Sequence, residues 1–134
     1  MASDLETFPV RSGEDVVKAR QAVRRRAMDA GFNLVEQTKI VTAASELARN
    51  TVIYGGGGEM RIERLYDGPK RIGLRLTFED QGPGIVDIDL ALRDGYTTGN
   101  GLGLGLSGAR KLSHEFDIKS APGQGTRVTI TRWK

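Results

Sequence analysis

Ile72, Leu74, Leu76 and Phe78 occupy every second position, and the pattern stops at Glu79-Asp80-Gln81-Gly82-Pro83-Gly84. A period of two marks a strand with one buried face. The chain must therefore lay a strand under a core and then turn sharply off it. Glycine in that corner admits backbone conformations closed to other residues and lets a ligand approach the main chain. A carboxylate fixed there, Asp80, can accept a hydrogen bond from an exocyclic amine such as that of adenine. The same residues also suit an ordinary strand-to-loop turn with a solvated aspartate. Three other stretches, at positions 46–50, 101–105 and 123–126, bear on the choice.

Glycine makes up 18 of the 134 residues, and 11 of these fall in three clusters: Gly55 to Gly58, Gly82 with Gly84, and Gly95 to Gly105. Linker glycines would lie between domains, whereas these interrupt well-patterned segments. They read as loops built around something. In Gly101-Leu102-Gly103-Leu104-Gly105-Leu106, glycine alternates with leucine just before a predicted helix. Unpaired amides and the helix dipole make such an end a phosphate site. It is not a Walker A loop, because no Gly-Lys-Ser/Thr closes it. Close helix packing is the competing use of these glycines.

A chain of this length reads as one domain, residues 1–134, able to bury about 65–70% of its unfolded surface. It has no cysteine and one histidine, His114, which excludes disulfides and argues against a histidine or thiolate metal site. No signal-like or membrane-length apolar run occurs, so a soluble, cytoplasmic protein is expected. The net charge of +3 is mild. Arg24-Arg25-Arg26 could meet nucleic acid or an acidic partner, but no nucleic-acid signature accompanies it, and a solvated helix face is expected.

Along the chain, residues 1–12 suggest a short strand or an ordered edge segment. Ser12 then starts a helix that carries Val16, Ala19, Val23, Ala27 and Ala30, with Gly31 placed to end it. A second helix is predicted from Leu34 to Tyr54, its buried stripe formed by Ile40, Ala44, Leu47, Ala48 and Thr51. Glu46 and Asn50 lie one above the other on its flank. Such a pair is either a plain surface pair or two hard oxygen donors suited to magnesium at a pocket edge. A hairpin follows (59–65 and 71–79, with Asp-Gly in its loop). Next come a short helix within 85–95, a third helix from about Gly103 and a second hairpin (116–120 and 126–133). The order predicts an α+β, two-layer sandwich: a mixed, mainly antiparallel sheet with helices on one face.

Four stations in fixed order resemble the GHKL (Bergerat-fold) ATPase and kinase superfamily. They are Glu46 with Asn50, the D-x-G-x-G run Asp80 to Gly84, the glycines 101–105, and Gly123-Gln124-Gly125-Thr126. The resemblance spans residues 34–133. It implies ATP and Mg²⁺ as cofactors, with Asn50 binding the metal and Glu46 acting as general base or orienting the attacking group. It implies Asp80 on the adenine amine, Thr126 supporting it through a water, and Gly82 and Gly84 among the nucleotide-binding residues. Thr97, Thr98, Gly101, Gly103, Leu104 and Gly105 would belong to a lid over the phosphates.

Within the superfamily the chain is similar to the free-standing anti-sigma/switch serine kinase group, closest to its RsbT branch. That branch implies a serine/threonine kinase acting on a STAS-domain antagonist in a stressosome pathway, with a PP2C-type phosphatase as second partner. Tyr54 stands where many kinases of the RsbW and SpoIIAB type have histidine, which makes direct sigma-factor binding the lesser expectation. The alternatives are an anti-sigma factor that sequesters its sigma factor and a nucleotide-gated binding module without transfer. Neither nucleic acid nor membrane is an expected partner.

Overall fold

The computed structural model describes residues 5–93 and 105–134. Its elements are β1 (Glu6–Val10), α1 (Gly13–Asp29), α2 (Leu34–Ile53), β2 (Gly58–Asp67), β3 (Arg71–Asp80), α3 (Ile88–Ala91), α4 (Gly105–Lys111), β4 (Glu115–Ser120) and β5 (Thr126–Trp133). The strands form one sheet in the order β1-β2-β3-β5-β4. All four pairings are antiparallel, where a mixed, mainly antiparallel sheet was expected. Among the described residues no helix is long and apolar enough to cross a membrane.

Local chemistry sets the helix ends. Ser12 caps α1 by accepting from the Asp15 amide at 3.2 Å, and Asp15 reaches back to the Arg11 amide at 2.9 Å. At the far end the Gly31 and Phe32 amides donate to the Met28 and Ala27 carbonyls. This is a Schellman closure, and the φ of 88° at Gly31 is why a glycine stands there. Asn33 caps α2 through the Glu36 amide at 2.9 Å. The third helix was expected from about Gly103. That residue lies outside the described ones, and α4 runs from Gly105.

The core lies between the helices and one face of the sheet. Met60, Ile62, Leu74, Leu76, Phe78, Val128 and Ile130 supply the sheet side, and Ala19, Val23, Ile40, Ala44, Leu47, Ala48 and Ala109 the helix side. Because side chains alternate along a strand, the odd-numbered residues of β2, β3 and β5 point the other way. There Glu79 takes Arg61 at 3.4 Å and Arg127 at 3.0 Å, and Arg75 reaches Glu63 at 3.7 Å. Thus Asp80 and Glu79, neighbours in sequence, belong to opposite faces.

The arginine run does not form one solvated face. Arg26 is 8% exposed and pairs with Glu6 of β1, Arg24 is half-buried and Arg25 exposed. Successive helix residues are about 100° apart, so three in a row cannot share one environment. His114 is structural: its Nδ1 accepts from the Trp133 amide at 2.8 Å.

Candidate functional site

Asp80 closes β3 and is 9% exposed. Its position comes from the register, which sets it opposite Gly58 on β2 and Thr126 on β5. Its Oδ1 accepts from the Gly82 amide at 2.9 Å. Burial raises its pKa above the ordinary aspartate value. The Gly82 and Thr126 amides oppose that shift, and the neighbouring Glu79 charge adds to it.

The glycines around Asp80 mark main chain packed to contact. A Cβ on Gly55 would come within 2.7 Å of Asp80 Cβ, and one on Gly82 within 2.7 Å of the Gly55 oxygen. A Cβ on Gly84 or Gly125 would overlap the carbonyl oxygen of Ala121 or Asp80. The loop of residues 82–84 is joined to that of 121–125 by Gly123 N–H donating to the Pro83 carbonyl at 2.7 Å. Ser120 Oγ completes the joint. It accepts from the Ile85 amide at 2.8 Å, donates to the Gly125 carbonyl at 2.9 Å and lies 2.8 Å from Thr126 Oγ1.

Beside this corner lies a cavity of about 550 Å³ between α2, α3, the start of α4 and the adjoining ends of β3 and β5. Glu46, Asn50, Asp80, Gly84, Gly105 and Thr126 all line it. Gly82 stands behind Asp80 as its amide donor. Thr97, Thr98, Gly101, Gly103 and Leu104 lie outside the described residues. Glu46 and Asn50 are half-buried on the α2 flank, where helical spacing sets them. The cavity is apolar on its other walls (Phe78, Ile85, Val86 and Val128 among them), and Val86 is 86% exposed. A flat aromatic base would find apolar surface and one buried carboxylate at one end, with a carboxylate and an amide on the helix at the side. This combination suits a nucleotide.

Sequence reasoning missed several parts. Gly55 showed only as an excess of glycine after a helix. Ser120 carried no local signal, because its three partners come from two loops and a strand start. Arg49 also lines the cavity and forms no ion pair among the described residues. It stands between the two α2 residues that were singled out.

Residues 35–134 match the family described as histidine kinase-, DNA gyrase B- and HSP90-like ATPase. The chain is 46% identical over 119 residues to the serine/threonine-protein kinase RsbT of Bacillus subtilis (strain 168), covering 89% of each chain. It is 30% identical over 121 residues to the anti-sigma F factor of Thermoanaerobacter sp. (strain X514), covering 86% of this chain and 82% of that one. Among solved structures, the mycobacterial sensor histidine kinase MprB superposes with a TM-score of 0.54 at 20% identity, covering 95% of both chains, a likeness of fold alone. With ordered motifs, fold and similarity in agreement, the chain belongs to the histidine kinase-, DNA gyrase B- and HSP90-like ATPase family.

Proposed function

We propose that this chain is an ATP- and Mg²⁺-dependent serine/threonine protein kinase of the RsbT type. It phosphorylates a STAS-domain antagonist in a cytoplasmic partner-switching pathway and, once released, engages a PP2C-type phosphatase. The observation that carries the reading is the single cavity onto which Glu46, Asn50, Asp80 and Thr126 converge. The 46% identical relative named as a serine/threonine-protein kinase supports the reaction class.

In this reading Asp80 accepts from the adenine amine and Thr126 supports it through a water. Gly82 keeps the carboxylate oriented through its amide. Asn50 offers an amide oxygen, a sparse protein share of the shell that magnesium completes with phosphates and waters, which leaves the Glu46 carboxylate for the hydroxyl. Asn50 would hold the ion, which when bound offsets phosphate charge. The Glu46 carboxylate takes the proton from the attacking serine hydroxyl as that oxygen bonds to the γ-phosphorus and the bond to the ADP oxygen breaks. Thr97, Thr98, Gly101, Gly103, Leu104 and Gly105 would close over the phosphates and exclude water.

The test is incubation with labelled ATP and candidate STAS-domain proteins, with Glu46→Ala and Asn50→Ala as controls. Transfer to serine or threonine that both substitutions abolish is expected. Transfer undiminished in both would remove the mechanism. A second reading, an anti-sigma factor that sequesters a sigma factor, draws on the 30% identical relatives named as anti-sigma F factors. Co-purification with a sigma factor rather than a STAS-domain protein would favour it.

A further inference from the structure

Two of the three consecutive arginines are left outside both the core and the cavity. Arg24 and Arg25 border a separate groove of about 380 Å³ on the outer side of α1, joined there by Arg20. Its apolar surface is Val17, Met28 and, from α2, Val41. Val17 and Met28 are 48% and 58% exposed, well above a core side chain. Asp29 is the one acidic residue in the lining. Arg20 and Arg25 form no ion pair among the described residues, and Arg24 has only a long 3.4 Å contact with Gln37. The groove shares no lining residue with the cavity that holds Asp80.

Spacing says what shape would fit. Val17, Gln21, Arg24 and Met28 follow one another at intervals of four, three and four residues. They lie along one line of the helix surface, with Val17 and Met28 apolar at its ends and Gln21 and Arg24 between, so a partner helix can lie lengthwise on it. Charge says what would edge that helix. Three guanidiniums against one carboxylate favour aspartate and glutamate, which arginine can bind through two parallel hydrogen bonds. Nucleic acid would use the same charge but would gain little from the apolar floor.

We propose that this groove docks a helix of the partner protein, bearing an apolar stripe edged with aspartate and glutamate. The proposal rests on the kinase reading only in so far as that helix belongs to the phosphorylated partner. The site would let the kinase hold its protein substrate away from the reacting hydroxyl, with nucleotide and partner bound at separate places.

The direct probe is a fluorescein-labelled peptide helix with a leucine stripe flanked by glutamates, beside a counterpart with lysines in place of the glutamates. Wild type should bind the glutamate peptide at least about tenfold more tightly, with an affinity that falls as salt rises. Combined Arg20→Glu, Arg24→Glu and Arg25→Glu should reverse the preference while ATP affinity and thermal midpoint stay as in wild type. Val17→Asp with Met28→Asp attacks the floor instead, and should weaken both peptides. It keeps the test open should the triple variant fail to fold.

Equal binding of the two peptides, or glutamate-peptide binding that survives in a folded charge-reversed variant, overturns the proposal. So does tighter binding of duplex DNA than of peptide at the same salt. In the transfer assay the charge-reversed variant should raise KM for the protein substrate about tenfold and leave KM for ATP alone. Absence of transfer by wild type would count against the kinase reading, with the peptide measurement still deciding the groove.

Discussion

Gly55, just past the end of α2, lies against the side chain of Asp80, so closely that a methyl group on it would come within 2.7 Å of Asp80 Cβ. The helix that carries Glu46 and Asn50 thus ends on the carboxylate that closes β3, and the two walls of the cavity are set against each other there. Gly55→Ala should push Asp80 out of place and lower adenine-nucleotide affinity at least about tenfold. Gly56→Ala has free space around it but a φ of 75°, and should cost about 1 kcal/mol of stability. Calorimetric ATP titration and thermal melting would separate the two. Equal nucleotide affinity in Gly55→Ala and wild type would contradict the first expectation.

Asp80 should show function and stability pulling in opposite directions. Burial raises its pKa, so the folded state holds the proton more tightly than the unfolded chain. Between the ordinary value of 3.8 and the raised one, stability therefore falls as pH rises, and above that window the ionised form remains a cost. Asp80→Asn keeps an oxygen for the Gly82 amide and removes the charge. It should melt at or above the wild-type temperature at neutral pH, yet lose about 1.5–3 kcal/mol of nucleotide binding. A variant that binds ATP as wild type does would undo the adenine assignment.

Glu46→Gln keeps the size and polarity of the side chain and removes its basicity. Nucleotide affinity should change little, while phosphate transfer to the protein substrate falls by about 10²–10⁴-fold. Single-turnover transfer measured beside ATP binding gives both numbers. A parallel loss of binding and transfer would point to a structural role instead.

Glu36 should contribute to acid sensitivity, as should Glu79, whose pKa the hydrogen bond from Arg127 also lowers. The Glu36 carboxylate takes Arg132 Nε at 2.6 Å, and Arg132, 8% exposed, also reaches the Leu112 carbonyl at 2.8 Å. The Arg132 hydrogen bond holds the Glu36 pKa below its usual 4.5. Stability from this pair is full above that value and is lost as pH falls through the lowered one. Glu36→Gln strands a buried guanidinium and should cost about 3 kcal/mol at neutral pH. The variant's stability should also decline less steeply than wild type on acidification below pH 4.5, as denaturant melts across that range would show.

Much of the fold was legible because it depends on short-range periodicity, while of the cavity lining the motifs had singled out Glu46, Asn50, Asp80, Gly84, Gly105 and Thr126. Leu74, Leu76 and Phe78 are buried as their alternation requires, and Ile72 is only half-buried near the sheet's far end. The α2 stripe from Ile40 to Thr51 is buried in full. Arg26 was misread because a run of like residues suggests one surface. Its spacing from Ala19, Ala22 and Val23 already put it on the buried side of the helix. Ser120 could not be found that way, since its partners at 85, 125 and 126 meet only after two loops close. Gly82 and Gly84 were read as a corner that lets a ligand approach the main chain, and Gly55 only as one of a cluster. The structure gives Gly55, Gly82, Gly84 and Gly125 a further purpose, the close stacking of main chain around one side chain.

Ser120 has one further consequence. Its single proton goes to the Gly125 carbonyl, so in the contact with Thr126 it can only accept, and Thr126 must be the donor. That leaves Thr126 with only lone pairs to offer, beside a carboxylate that when ionised also only accepts. In the proposed pose, a wall of this polarity would welcome the amino edge of one purine and repel the carbonyl edge of the other, and Ser120 would set that preference for adenine over guanine through Thr126.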